Sequence, residues 1–183
     1  MVEATLTSKM KEILSNMKGK TLLSYVCEKD DGFSRPYGNM RIITDSFSIE
    51  LNNEEHPLTF FDGIEDISYF EIKEVNPETP FEPFVVTETE EFKVNKIITG
   101  IEIINDTINV KDGEYVISFD EAIVIHMSED VLMLARDSWF SEVISICHDD
   151  DYNKIYSIDE LIEEWSNEGV DKVLVDRRRF TVC

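Results

Sequence analysis

Lys96-Ile97-Ile98-Thr99-Gly100-Ile101-Glu102-Ile103-Ile104-Asn105-Asp106-Thr107-Ile108-Asn109-Val110, the pair Asp112-Gly113, and Glu114-Tyr115-Val116-Ile117-Ser118-Phe119 decide the fold. An Asp-Gly pair between two alternating apolar runs marks a hairpin, because the tight turn needs positive φ. Downstream, Ala122 to Met127, the polar turn Ser128-Glu129-Asp130 and Val131 to Ala135 read as a further strand pair, followed by a strand over Ser141 to Cys147. Ile123, Ile125 and Met127 with Val131, Met133 and Ala135 make one apolar face, and Val124, Leu132 and Leu134 make the other apolar as well. Strands buried on both faces lie in the middle of a sheet.

Upstream, Leu6, Met10, Ile13 and Met17 recur at helical spacing, which predicts a helix over 6–18 ended by Gly19. From Thr21 the period becomes two, with Leu22, Ser24 and Val26 on one side and Leu23, Tyr25 and Cys27 on the other. Residues 29–39 are rich in turn formers and read as a loop. Met40 to Thr44 and Phe47 to Leu51 read as paired strands, and Ile67 to Val75 as another. Pro77, Pro80 and Pro83 forbid a central strand or helix interior, so 76–91 is expected to connect two halves, packing on the surface through Phe81, Phe84, Val85 and Val86.

At the far end, Ser157-Ile158-Asp159-Glu160 is a capping box that opens a helix with Ile158, Leu161, Ile162 and Trp165 on its buried stripe. Val170 to Val175 and Phe180 to Val182 read as two short strands around Arg177-Arg178-Arg179. The expected fold is α+β, mainly antiparallel, with an N-terminal and a C-terminal helix in one compact domain, 1–183. Two similar β-halves, 1–75 and 92–183, can be overlaid by pattern: Gly19 to Val26 on Asn95 to Glu102, Met40 to Leu51 on Ala122 to Leu134, and Glu65 to Glu74 on Phe140 to Asp149. Internal duplication and the chance likeness of period-two segments both account for that.

The 39 acidic residues against 17 basic ones leave a formal charge of −22. Such a chain repels phosphate backbones and anionic lipid, so neither nucleic acid nor a membrane is an expected partner, whereas a basic protein is steered toward it. Acidity kept for solubility explains the same number. Cys27, Cys147 and Cys183 form no CxxC pair or disulfide framework, and the start of the chain has no basic segment followed by an apolar run. A reducing, cytoplasmic setting is expected.

No GxSxG, HExxH, GxxxxGK[ST] or GxGxxG motif occurs, and no catalytic residue, cofactor or metal is expected. Asp149 to Glu160 carries oxygen side chains at EF-hand positions, but Lys154 stands where the loop needs glycine, and the capping box already employs Glu160. Cys147 and His148 are adjacent on a strand and point to opposite faces, unlike a nucleophile and its base. His126 reads as a packed or edge histidine, and His56, next to Pro57, as a loop residue. In Asp137-Ser138-Trp139-Phe140-Ser141-Glu142, Trp139 and Phe140 read either as a core anchor at a strand corner or as a partner-binding hot spot. The three arginines are expected to pair with the protein's own carboxylates or to clamp an anionic group.

Ile101-Glu102-Ile103-Ile104-Asn105-Asp106, the run from Asp137 to Ile146 and the distant Trp165 together resemble small uncharacterised bacterial proteins, loosely of the immunity type that accompanies toxins. The resemblance implies a non-enzymatic protein that occludes a partner. On this reading Glu88, Glu90, Glu91, Asp149, Asp150 and Asp151 meet a basic protein surface, with Trp139 and Phe140 as anchors. The alternatives are a small-ligand binder or enzyme with a carboxylate-lined pocket between the halves, and an assembly subunit.

Overall fold

In chain order the elements are β1 (Val2–Ala4), α1 (Ser8–Met17), β2 (Thr21–Glu28), β3 (Asn39–Thr44), β4 (Ser48–Phe60), β5 (Gly63–Val75), β6 (Thr89–Val110), β7 (Tyr115–Met127), β8 (Val131–Arg136), β9 (Ile144–Cys147), α2 (Ile158–Asn167) and β10 (Val173–Thr181). The computed structural model describes residues 1–29, 36–60, 63–84, 88–167, 169–170 and 172–183. Neighbouring strands run β5-β4-β3-β2-β6-β7-β8-β9, all antiparallel, with β10 antiparallel to β6 and β1 parallel to β7. The protein is thus α+β and mainly antiparallel, with one helix near each end, as its patterning implies.

The 22-residue β6 is the seam. Its first part pairs with β2, from Glu28↔Thr89 to Thr21↔Ile97. Its second part pairs with β7, from Ile98↔Met127 to Val110↔Tyr115, and also with β10. Two meanders, β2 to β5 and β6 to β9, therefore meet along β2 and β6. They share a strand order but not strand lengths: β4 and β5 have 13 residues each, β8 and β9 only 6 and 4. The shared order does not establish a duplication.

One core draws on both meanders: Leu22, Ile42, Leu51 and Phe70 meet Ile101, Ile123, Leu134 and Ile146, and α1 adds Leu14 and Met17. Each such burial contributes about 1.5–3 kcal/mol. Thr7 caps α1 by accepting from the Met10 backbone N–H at 3.3 Å. On the opposite face of β6, β7 and β8, Ile104, Val124, Met133 and Ala135 pack with Tyr152, so these central strands are covered on both sides. At the far end α2 and β10 close a third cluster of Ile108, Ile117, Phe119, Trp139, Leu161, Trp165 and Val173.

Several elements depart from the local reading. The faces of β2 do not alternate throughout, because the register slips between Leu22 and Ser24; the core takes Leu22 and then Tyr25 and Cys27. His56 and Pro57 lie inside β4, opposite Ile67 and Asp66, and not in a loop. Among the described residues the β3 ladder ends at Asn39↔Asn52, so proline's missing N–H falls beyond it, where no β3 bond is lost. His56 stacks on Tyr69 at 4.4 Å.

The connection is shorter than 76–91, because Thr89 to Lys93 already pairs with β2; Glu90 and Glu91 are strand residues. Phe81 and Phe84 do pack on the surface: Phe81 lies under Arg41, and the Phe84 ring occupies the space a side chain at Gly38 would need. Gly38 also has φ +75°. Val85 and Val86, like 30–35 of the expected loop, lie outside the described residues. The turn at Asp112-Gly113 is a short 3-10 turn, Lys111–Gly113, with Gly113 at φ +90°. Glu114 to Phe119 and Ala122 to Met127 merge into β7, and the two short strands predicted around the arginines are the single strand β10, since β6 offers it nine consecutive partners.

No helix among the described residues is long and apolar enough to cross a membrane.

Candidate functional site

A bulge builds the site. Ile104 faces Ala122 but Asn105 faces Asp120, so Glu121 is an extra residue in β7 with no partner across the ladder. A bulge re-aims side chains, and here the successive residues Asp120 and Glu121 are both buried. Asp120 accepts from the Leu6 backbone N–H at 2.7 Å and from Asn105 Nδ2 at 2.9 Å. Glu121 Oε2 accepts from Arg136 Nη2 at 2.8 Å and Nε at 3.3 Å, and Oε1 accepts from the Trp139 indole N–H at 3.2 Å. Glu121 thus fixes the position of Trp139.

The segment 137–143 carries Trp139 and Phe140 past the middle of β5, at Ser68. Its backbone carbonyls are met by β4 and β5: Ser68 N donates to Trp139 O at 2.8 Å, Ser68 Oγ to Ser138 O at 3.2 Å, and Asn53 Nδ2 to Ser141 O at 3.0 Å. Arg136 returns the link by donating to Ser68 O. Buried polar groups so satisfied hold an irregular segment in one place. The expected strand over Ser141 to Cys147 begins only at Ile144 because the chain before it is spent on this crossing.

Between this segment, the β7 bulge and α2 lies a cavity of about 640 Å³ lined by Trp139, Phe140, Tyr152, Tyr156 and Trp165 and by the carboxylates of Glu65, Glu121, Asp137 and Glu164, with Lys111 the cation among the lining side chains. Trp139 stacks on Phe119 at 4.3 Å and meets Trp165 edge-on at 5.3 Å and 68°. The capping box places α2: Ser157 N donates to Glu160 Oε2 at 2.8 Å, and Glu160 N to Ser157 Oγ at 3.1 Å. Tyr156 donates its hydroxyl proton to Glu164.

Beneath the cavity a second ion pair joins β10 to β6. Arg177 donates to both oxygens of Asp106, at 2.8 and 2.7 Å, and to Tyr156 O at 2.8 Å, with its guanidinium 4.6 Å from the Tyr152 ring centre. Burial pushes the Asp106 carboxyl above the usual range against the pull of Arg177, and burial likewise raises Asp120. Tyr152 is raised well above an ordinary phenol by burial and by the Glu121 charge. Tyr156 is raised by burial and then by its bond to Glu164.

Of the residues singled out from sequence, Trp139 and Phe140 line this cavity. Trp139 is 8% exposed and anchored as a corner residue would be, while Phe140 is 58% exposed at the mouth. Glu88 lies before β6 and pairs with Lys29 at 3.4 Å; Glu90 and Glu91 sit opposite Cys27 and Val26, and Glu91 accepts from Ser24 Oγ at 2.6 Å. These three do not line the cavity. Asp149 pairs with Lys154, Asp150 with Arg179 at 3.3 Å, and Asp151 accepts from the Asn153 backbone N–H at 3.1 Å. The arginine cluster is engaged internally, Arg178 by Asp176 and Arg179 by Glu102 and Asp150. His126 bonds Glu102 at 2.8 Å.

Glu121, Glu164, Tyr152 and Tyr156 belong to no motif that the sequence alone marks as a site. The available signal for Glu121 was Asp120-Glu121 itself, two acids inside a run otherwise apolar on both faces. No family model, curated protein or solved structure matches the chain.

Proposed function

We propose that the protein is a cytoplasmic binding module of inhibitor or immunity type that occludes a basic protein partner. The observation that carries this reading is the aromatic cavity rimmed by Glu65, Asp137 and Glu164 with Phe140 standing exposed at its mouth. Exposed aromatic anchors beside desolvated pockets are where binding energy concentrates. The formal charge of −22 supports it by drawing a cationic protein in from a distance. A second reading, a small-ligand binder, is supported by the cavity volume of about 640 Å³, which falls within the range of ligand sites.

The test is capture of basic proteins on the immobilised chain at low salt, followed by affinity measurements over a salt series. The module reading expects affinity to fall steeply with salt and to drop on Asp137→Lys and Glu164→Lys. Recovery of no basic protein at low salt, or binding indifferent to both reversals, refutes it.

A further inference from the structure

We infer that the cavity is a cage for the guanidinium of an arginine side chain, an inference that rests on the binding-module reading of the same cavity. Aromatic faces attract cations, most strongly where water is excluded. Trp139 and Trp165 form a corner, with rings 5.3 Å apart at 68°, and the half-buried Tyr156 completes the wall. Glu121 is neutralised by Arg136, and Glu65 and Glu164 bring further carboxylates to the lining, with Tyr156 donating its hydroxyl to Glu164.

This end of the molecule already seats two guanidinium groups in the same manner. Arg136 lies 5.0 Å from the Phe119 ring centre with Glu121 at its edge, and Arg177 lies 4.6 Å from that of Tyr152 with Asp106 at its edge. A ring beneath and a carboxylate beside is the combination the cavity repeats. Arginine suits it better than lysine, because a guanidinium is planar and less strongly hydrated than an ammonium.

Trp139 and Trp165 are the two tryptophans of the chain, so intrinsic fluorescence reads the cavity directly. The probes are acetyl-Gly-Arg-Gly-amide and its citrulline and lysine counterparts, titrated at low salt into the full chain. The arginine peptide is expected to shift tryptophan emission saturably, and the neutral citrulline peptide to bind at least about tenfold more weakly. Glu164→Gln and Phe140→Ala, both at exposed positions, should weaken the arginine peptide several-fold while circular dichroism stays unchanged. Equal response to citrulline overturns the cage, and equal or tighter binding of lysine overturns the choice of arginine. A basic protein captured at low salt and indifferent to Glu164→Gln, with no peptide response, removes the cage and leaves the module standing. Peptide binding without any captured protein does the reverse.

Discussion

Replacing Arg136 with Met should be among the most damaging single changes in this protein. The side chain is wholly buried, its Glu121 partner is 3% exposed, and it also donates to Ser68 O on β5. Methionine fills much of the volume but leaves the Glu121 carboxyl buried without its cation, held by Trp139 and the weaker contact from Tyr152 at 3.5 Å. Stranding one partner of a buried ion pair costs about 3–5 kcal/mol. For a chain of this size that corresponds to a fall in Tm of about 6–20 °C. The assay is equilibrium urea unfolding followed by tryptophan emission and far-ultraviolet circular dichroism, with Glu121→Gln and the double variant in parallel. The double variant should recover about 1–3 kcal/mol relative to the sum of the singles, since glutamine still accepts from Trp139 without a buried charge. An Arg136→Met variant within about 1 kcal/mol of wild type, or additive singles, would refute the claim that this pair is desolvated and couples β7, β8 and β5.

Trp139→Ala should cost about 3–5 kcal/mol by opening a cavity against Phe119 and Trp165, whereas Phe140→Ala should leave the urea midpoint nearly unchanged; equal losses would mean that Phe140 is also a core residue. Asp120 is held above the usual carboxylate range by burial, so the folded state takes up its proton at higher pH than the unfolded chain. Its contribution to stability is greatest in acid and declines as pH rises from the ordinary value near about 3.9 through the raised one. The Tm difference between Asp120→Asn and wild type should therefore move in the variant's favour across that interval, and a flat difference would contradict the shift. Ser157→Ala should cost about 1 kcal/mol by removing the cap of α2. Glu160 is held low first by the bond from the Ser157 backbone N–H, so its part of the capping box is present above the ordinary glutamate range and lost as pH falls through that lowered value, and the wild-type advantage over Glu160→Gln should shrink in acid.

Whatever rests on neighbours along the chain was readable from residues: the helix stripe of Met10, Ile13 and Met17, though α1 begins only at Ser8, leaves Leu6 outside and buries Leu14 as well, the Ser157/Glu160 box, the Asp112-Gly113 turn, and the doubly apolar strands that became the covered middle of the sheet. Periodicity reports local backbone geometry and the number of faces buried, and those quantities survived folding. It does not report where a ladder slips. The bulges at Leu23 and Glu121 are set by register against β6 and β3, which no local pattern encodes, and the second of them turns Glu121 into the interior. The same holds for the length of β4 through Pro57 and for the single strand β10, each decided by the partner that lies alongside. The cavity is the extreme case: Glu65, Glu121, Trp139, Tyr152 and Trp165 are scattered over a hundred residues and converge because buried polar atoms of Ser68, Asn53 and Arg136 had to be satisfied across β4, β5 and the crossing segment. Composition made the protein acidic, and only that convergence decided which of its carboxylates stand beside aromatic rings.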